Sequence, residues 1–469
     1  MTASTAHVGH VPQIAQQCRR RTSITKRRVA AAPHSRDSLK LNKRFTPNTF
    51  AKNARALNVT ASSNNQQVNA ATLSQPTAQT QKALRLSQSR LGDIAASGKA
   101  TVPSYPRTLT PDHNVMIHLG VGGFFRSHQA LYVHRLLERG GNWAFVGMGL
   151  MDFDFKMYDA LKSQDYLYTV ASKGDHDPEY TVVGSILDFV YAPDDKQAAL
   201  ERMADPQTKL VTLTITEKGY CYTSDGDLDL SNRYVMEDLK DITNPVSAIG
   251  FIVAALRLRK ERGQKPFTVL SCDNMPENGL VAKKMCMQLA EAADPALAAW
   301  IQREVPFPLS MVDRITPVTT ASDIDDVAAG AGVEDAWPVV AEDFMQWVVE
   351  DNFVDGLRPA YEEVGALVVE DVMPYECMKL RLLNGGHSAL SYAAYLLGHR
   401  EVHAALADPR IRTFLRCYFA EVDTTVPAVR GVNLAEYQET LIRRFSNENI
   451  RDQVQRLAQD GSAKLYNTM

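Results

Sequence analysis

The chain has 469 residues, 45% of them hydrophobic and 22% charged, with 26 Gly and 22 Pro, an ordinary globular composition with length for about three domains. No apolar run reaches the ~18 residues that a bilayer-crossing helix needs, which excludes a helical membrane span. Charge is uneven: residues 1–70 hold twelve Lys/Arg and one acid, Asp37, a net +11, so with −3 for the whole chain residues 71–469 carry −14. An acidic body argues against nucleic-acid binding as the main task, because phosphate affinity needs clustered cations.

Residues 1–95 lack sustained apolar periodicity and are rich in Ser, Thr, Ala, Asn, Gln and Arg. Such a segment cannot bury enough apolar surface to offset the entropy of ordering it, so a disordered basic extension is expected. Its hydroxyl-rich, acid-poor character is that of an organelle transit peptide, plastid ahead of mitochondrion. The alternative is a plain basic tail on a cytoplasmic protein. The six cysteines form no C-x-x-C pair, as expected for a reducing compartment.

From Pro111 the texture changes. Val115–Leu119 reads as a strand, and Gly120-Val-Gly-Gly-Phe-Phe-Arg-Ser-His-Gln129 leads into a helical stretch, Ala130–Leu137. Trp143–Met148 is a second strand, and the apolar runs Leu210–Ile215 and Phe267–Leu270 end abruptly in polar clusters. Strands alternating with helices indicate a parallel sheet. From Glu342 on a helical reading follows, with Phe344, Trp347 and Val348 on one face. The expected fold is therefore α/β: a Rossmann-type, mostly parallel sheet domain over 105–310, then a mainly α-helical domain over 311–469.

Gly120-x-Gly122 between strand and helix is where a dinucleotide pyrophosphate would sit, with Gly123, Phe124 and Arg126 beside it, although Phe125 stands where G-x-G-x-x-G requires its third glycine. A bare tight turn is the alternative. Asp154, after the second strand, can accept from ribose hydroxyls and repel a 2′-phosphate, favouring NAD; Asp152 is a rival at the same edge. Asp154 lies 34 positions past Gly120, against the usual ~20. Thr-Ile-Thr-Glu217 and Ser-Cys-Asp273-Asn274 switch from apolar to polar at strand ends, the ligand-binding edge of such sheets. The Asn274 amide could donate to a substrate oxygen.

The segment Glu376-Cys-Met-Lys379-Leu-Arg-Leu-Leu-Asn384-Gly-Gly-His387 is the most informative. At 3.6 residues per α-helical turn, Asn384 and His387 fall about 140° and about 80° round from Lys379, all on one side. The Gly385-Gly386 pair costs about 1 kcal/mol per residue relative to Ala, which suggests a close approach to the backbone. A buried lysine beside an amide and an imidazole is a plausible general base, since desolvation lowers its pKa. A surface lysine with a capping Asn and a core His is the alternative.

These blocks, with Val312-Asp-Arg-Ile-Thr-Pro317 and Val340-Ala-Glu-Asp-Phe344, occur in an order that resembles the polyol-specific long-chain dehydrogenases, and within them the branch acting on mannitol most closely. The likeness covers residues 105–469. It implies zinc-independent, NAD-dependent oxidation of a polyol secondary alcohol to a ketose, in the first place D-mannitol to D-fructose. It implies Lys379 as the general base, Asn274 and Asn384 as the amides around the developing alkoxide, and His387 as the group that orients the substrate. Glu376 would open a proton path, Asp313, Arg456 and Lys464 would hold other hydroxyls, and Asp154 would select NAD. Glu217, at its strand end, joins the cofactor set, and no metal site is expected. D-arabinitol dehydrogenase and hexuronate (fructuronate-type) reductase share the motifs. Relatives usually continue well past Lys464, so the helical domain is expected to be truncated, which keeps an inactive NAD-binding or interaction protein as a reading from another class. The expected partners are a small polyol or ketose, with no nucleic acid and no membrane, on a monomer or weak oligomer.

Overall fold

The run Asn-Val-Met-Ile-His-Leu forms strand β1 (Asn114–Leu119), buried on both faces after its first residue. Uninterrupted apolar strands belong in parallel sheets covered on both sides. The computed structural model describes residues 83–459 and 461, all within one compact unit, Gln81–Met469. Residues 1–82 of the expected basic extension, including any transit peptide, and Lys464 lie outside the described residues. The body begins before residue 95, however. Leu84 and Arg85 pair in parallel with Val333 and Glu334, and Leu86 and Ile94 are buried against Val327 and Ile315. Three isolated apolar residues carry no periodicity, so only their partners reveal them.

After β1 come helices α1 (Gly123–Ser127) and α2 (Gln129–Leu137), broken at His128, and strand β2 (Trp143–Gly149). Strands β3 (Tyr168–Lys173), β4 (Glu179–Val183), β5 (Ile186–Tyr191) and β6 (Thr208–Leu213) follow. Next are α3 (Ala248–Glu261), β7 (Thr268–Ser271) and α4 (Asn278–Ala293). The main sheet has five strands in the order β5-β2-β1-β6-β7, all parallel. Side chains alternate across it: Val115, Ile117 and Leu119 pack with α3 and α4, while Met116 packs with α2. This is the expected Rossmann-type sheet, and the order reverses beside β1, where ligands bind in such sheets.

Beyond residue 310 strands still predominate, with one α-helix, Ala321–Ala331, among them. Strand β8 (Ser310–Asp313) pairs antiparallel with β10 (Gln346–Glu350), and β11 (Leu367–Val369) joins β10 in parallel. Strand β9 (Val339–Glu342) pairs in parallel with β3. The expected helix around Phe344, Trp347 and Val348 is thus corrected to a strand. Trp347, Val348 and Val349 are all buried, which β-branched and aromatic residues in a central strand accommodate and a one-faced helix would not.

Helices take over at α5 (Met373–Lys379), followed by a π-helical turn, Leu380–Asn384, and α6 (Gly385–Leu396). Helix α7 (Pro409–Asp423), whose Asp408 side chain caps it and whose first residue is proline, packs across α6, and α8 (Leu434–Phe445) completes the layer. The strands therefore run past residue 310, and apart from Ala321–Ala331 the helical layer begins at Met373.

Candidate active site

The first strand and its turn are fixed by sterics. Gly120 has φ +91°, and a Cβ there would collide with the carbonyl oxygen of Thr214 at the end of β6. Phe125, in the place of the third glycine, is fully buried and stacks on His118 of β1, centroids 3.4 Å apart. The His118 nitrogens bond Thr212 at 2.7 Å and Thr214 at 2.9 Å, and burial pushes its pKa down to about 3. A neutral imidazole and a phenyl ring thus replace glycine in packing the helix to the strand.

The turn opens on a crevice of about 370 Å³, lined by Gly122, Gly123, Thr216 and Met275 among others. A second cavity of about 380 Å³ is lined by Asp313, Lys379, Asn384, His387 and Arg456. Phe124, Glu217 and Asn274 line both, so the two spaces meet at those residues. Of the expected cofactor residues, Arg126 is not at the crevice. It is buried, donates to the carbonyl of Trp337 and lies over the Tyr168 ring, 5.1 Å from the centroid, which makes it a structural cation of α1. Asp154 sits beyond β2 with its carboxylate accepting the N–H groups of Leu150 at 2.9 Å and Met151 at 3.0 Å. Burial raises its pKa against those bonds. Asp152 is exposed.

Lys379 ends α5 and is buried, and its Nζ donates to Asn274 Oδ1. Desolvation lowers its pKa, opposed by the charges of Asp313 and Glu376 and assisted by that of Arg444. Glu376, one turn earlier, is also buried and pushed up to about 7, while accepting the N–H of Glu277 at 3.0 Å. Behind the amine a void of about 10 Å³, lined in part by Asn274, Glu376 and Lys379, has room for a single water.

Asn384 and His387 share the cavity with Lys379, but not by regular α-helical spacing. The π-helical turn between Lys379 and Gly385 changes the angular count, a feature frequent at functional sites and invisible to a uniform 3.6-residue period. The close approach foreshadowed by Gly385-Gly386 comes from α7. A Cβ at Gly385 would collide with the Tyr418 hydroxyl, which donates at 2.7 Å to the carbonyl of Arg381. His387 is buried and stacks on Phe445, centroids 4.1 Å apart. Asp313 lines the cavity, yet both its oxygens are held by Arg444 at 2.8 Å. Arg456 also lines it and pairs with Asp452 at 2.6 Å.

Sequence reasoning passed over Asp273, Glu342, Tyr418 and Arg444. Asp273 is buried and accepts from the N–H of Thr216 and the Tyr220 hydroxyl, both at 2.7 Å. It thereby holds Thr216 at φ +63°, a costly angle for a β-branched residue, at the rim of the cofactor crevice. Its adjacency to Asn274 was the available signal.

A parallel sheet with a glycine turn at its switch point, opening on a cavity that holds a buried lysine, defines a dinucleotide-dependent dehydrogenase. The chain belongs to the mannitol dehydrogenase family, whose Rossmann domain matches residues 114–363 and whose C-terminal domain matches 371–469. A mannitol 2-dehydrogenase of Emericella nidulans is 44% identical over 393 residues, 81% of this chain and 78% of the relative. A mannitol dehydrogenase of Saccharomyces cerevisiae is 45% identical over 369 residues, 78% and 73%. The solved mannitol 2-dehydrogenase of Pseudomonas fluorescens, a ternary complex with NAD and D-mannitol, has a TM-score of 0.77 at 41% identity, over 82% of this chain and 78% of that one.

Proposed function

We propose that the chain oxidises D-mannitol to D-fructose with NAD. One observation carries the reading: the buried Lys379 amine meets Asn274 at the place where the substrate cavity joins the glycine-turn crevice. The crevice fits NAD, because Gly122 and Gly123 line it without side chains and Asp154 stands beyond the end of β2, where a carboxylate accepts from a ribose diol and repels a phosphate. NAD supplies the hydride acceptor. Desolvation, which lowers the pKa of Lys379, favours the neutral amine that takes the proton of the carbinol hydroxyl. With Asn274 Oδ1 turned to the lysine, its amide donors and those of Asn384 stabilise the oxygen as charge develops. His387, fixed against Phe445, orients the polyol, and Glu376 passes the proton from the lysine outward.

The cations among the described cavity residues favour a neutral polyol over a hexuronate. The donors of Arg314 are directed to the Glu342 and Ser127 carbonyls and Arg456 is paired with Asp452, so neither guanidinium is oriented toward a substrate carboxylate. The same reading needs no zinc, so chelation leaves turnover intact. It has the enzyme acting as a monomer or weak oligomer, and the basic leader as an organelle address that a fluorescent fusion would report.

Purified protein is mixed with D-mannitol, D-arabinitol, D-sorbitol or a hexuronate and either cofactor, and reduced cofactor is followed by absorbance. Turnover is expected first with mannitol and NAD, and Asp154→Ala should narrow the NAD-over-NADP preference about tenfold, the cost of one lost charged contact. No turnover with any polyol would overturn the reading in favour of a non-catalytic NAD-binding protein.

A further inference from the structure

Beside the substrate cavity lies an ion cluster in which only Asp313, which lines that cavity, has an expected role. Arg444 on α8 grips both oxygens of Asp313 on β8, each at 2.8 Å, and both oxygens of Glu342 on β9, at 2.7 and 2.9 Å. The side chains are 4%, 3% and 1% exposed, so the cluster is dry. The guanidinium also lies over the Phe344 ring, 3.9 Å from the centroid. Such a buried arrangement is a poor source of stability, because desolvation consumes the Coulombic gain, and it calls for another account.

The cluster joins the helical layer to the strands at one wall of the cavity, and Asp313 is the member that shares the cavity with Lys379. Two carboxylates and one guanidinium leave one net negative charge. We propose that Arg444 is a positioning residue for the lysine base: by holding Asp313 and Glu342 it limits the negative charge facing the Lys379 amine and lets that amine shed its proton. This rests on the reading of Lys379 as the general base.

The other groups around the amine do not perform the same task. Asn274 is neutral, and Glu376 on α5 is itself pushed up to about 7 by burial. His128, between α1 and α2, is neutral with its pKa pushed down to about 3, and His387 is stacked on Phe445. Arg456 is paired with Asp452, and Arg314 donates to the Glu342 carbonyl rather than to a carboxylate. On the cluster's side, burial holds the Tyr437 hydroxyl protonated. Asp175, Asp343 and Arg443 line a separate pocket of about 170 Å³ against the outer face of Glu342 and Arg444.

The test uses two substitutions of opposite sign in the full chain. Arg444→Met leaves two uncompensated carboxylates, so the acid limb of kcat/KM for mannitol oxidation should move to higher pH by about one unit, the scale on which one nearby charge acts. Glu342→Gln removes one negative charge while keeping one of the two oxygen acceptors for Arg444, and should move the limb to lower pH by a smaller step, because Asp313 is the carboxylate nearer the amine. The double substitution restores one net negative charge and should return the limb toward wild type. A purely structural role would lower rates in every variant without opposite shifts, and shifts of equal sign, or none, would overturn the proposal. If Arg444→Met does not fold, Glu342→Gln decides alone, and an unmoved limb overturns it. Acetylation of Lys379 by acetic anhydride across pH, read by peptide mass, follows the same amine without turnover. Absence of mannitol oxidation by the wild type would therefore defeat the functional reading, while unshifted acetylation profiles would defeat this one.

Discussion

The two walls of the substrate cavity are built by different means. The sheet wall is backbone work: a glycine turn at the end of β1, strand ends at Thr214 and Ser271, and Asp273 holding the Thr216 peptide. The helical wall is side-chain work. There a π-helical turn sets Lys379, Asn384 and His387, Tyr418 satisfies the Arg381 carbonyl, and Arg444 ties α8 to β8. A wall made of backbone is robust to most substitutions but intolerant at its glycines. A wall made of packed side chains can be altered at many points, each with a different consequence.

The sharpest division between the walls comes from removing the base. Lys379→Met should cut mannitol oxidation about 10³-fold, within the range for a lost general base, while NAD binding measured by fluorescence stays intact. Retained turnover would move the chemistry off the helical wall. In the wild type the rate of oxidation should rise with pH through a lysine pKa below its ordinary value, because only the neutral amine accepts a proton and desolvation lowers that pKa.

Next come the two intolerant glycines. Gly120→Ala, with its left-handed φ and its collision with the Thr214 carbonyl, should weaken NAD binding. Gly385→Ala drives a methyl into the Tyr418 hydroxyl and should cost about 1–3 kcal/mol of stability, the range for overpacking, with kcat falling more than NAD affinity. Calorimetry and titration of each variant check this. If both substitutions damaged NAD binding alike, the two walls would not be separate.

The smallest effect expected is that of Tyr418→Phe. It leaves the Arg381 carbonyl without its side-chain donor and should cost about 1 kcal/mol in urea unfolding, with kcat lowered only to the extent that the π-helical turn loosens. Unchanged stability would show that solvent serves that carbonyl equally well.

Legibility follows the same division. The strand, glycine turn and helix around Gly120 could be read because each is a local preference, and parallel strands announce themselves by continuous apolar runs. Gln346–Glu350 was misread because five residues cannot separate a strand from a helix until the partner β8 is known. Leu84–Ile94 was assigned to the extension because its few apolar residues are explained only by the pocket that buries them. Arg126 sits inside the glycine-turn motif and looked like a cofactor ligand, yet its ring partner Tyr168 lies 42 positions away.

What the residues indicated unaided was the class of sheet, the position of the glycine turn, and the grouping of Lys379, Asn384 and His387 on one side of the chain, since these depend on neighbours within a few turns; Asn274, 105 positions from Lys379, was joined to them by the resemblance. Folding alone decided that Asp313 is gripped by Arg444 across 131 positions, that Glu342 completes that cluster, and that a π-helical turn aims Asn384 into the cavity. The physical reason is that charge balance in a dry site is a property of everything within a few ångströms, and those neighbours arrive from distant parts of the chain.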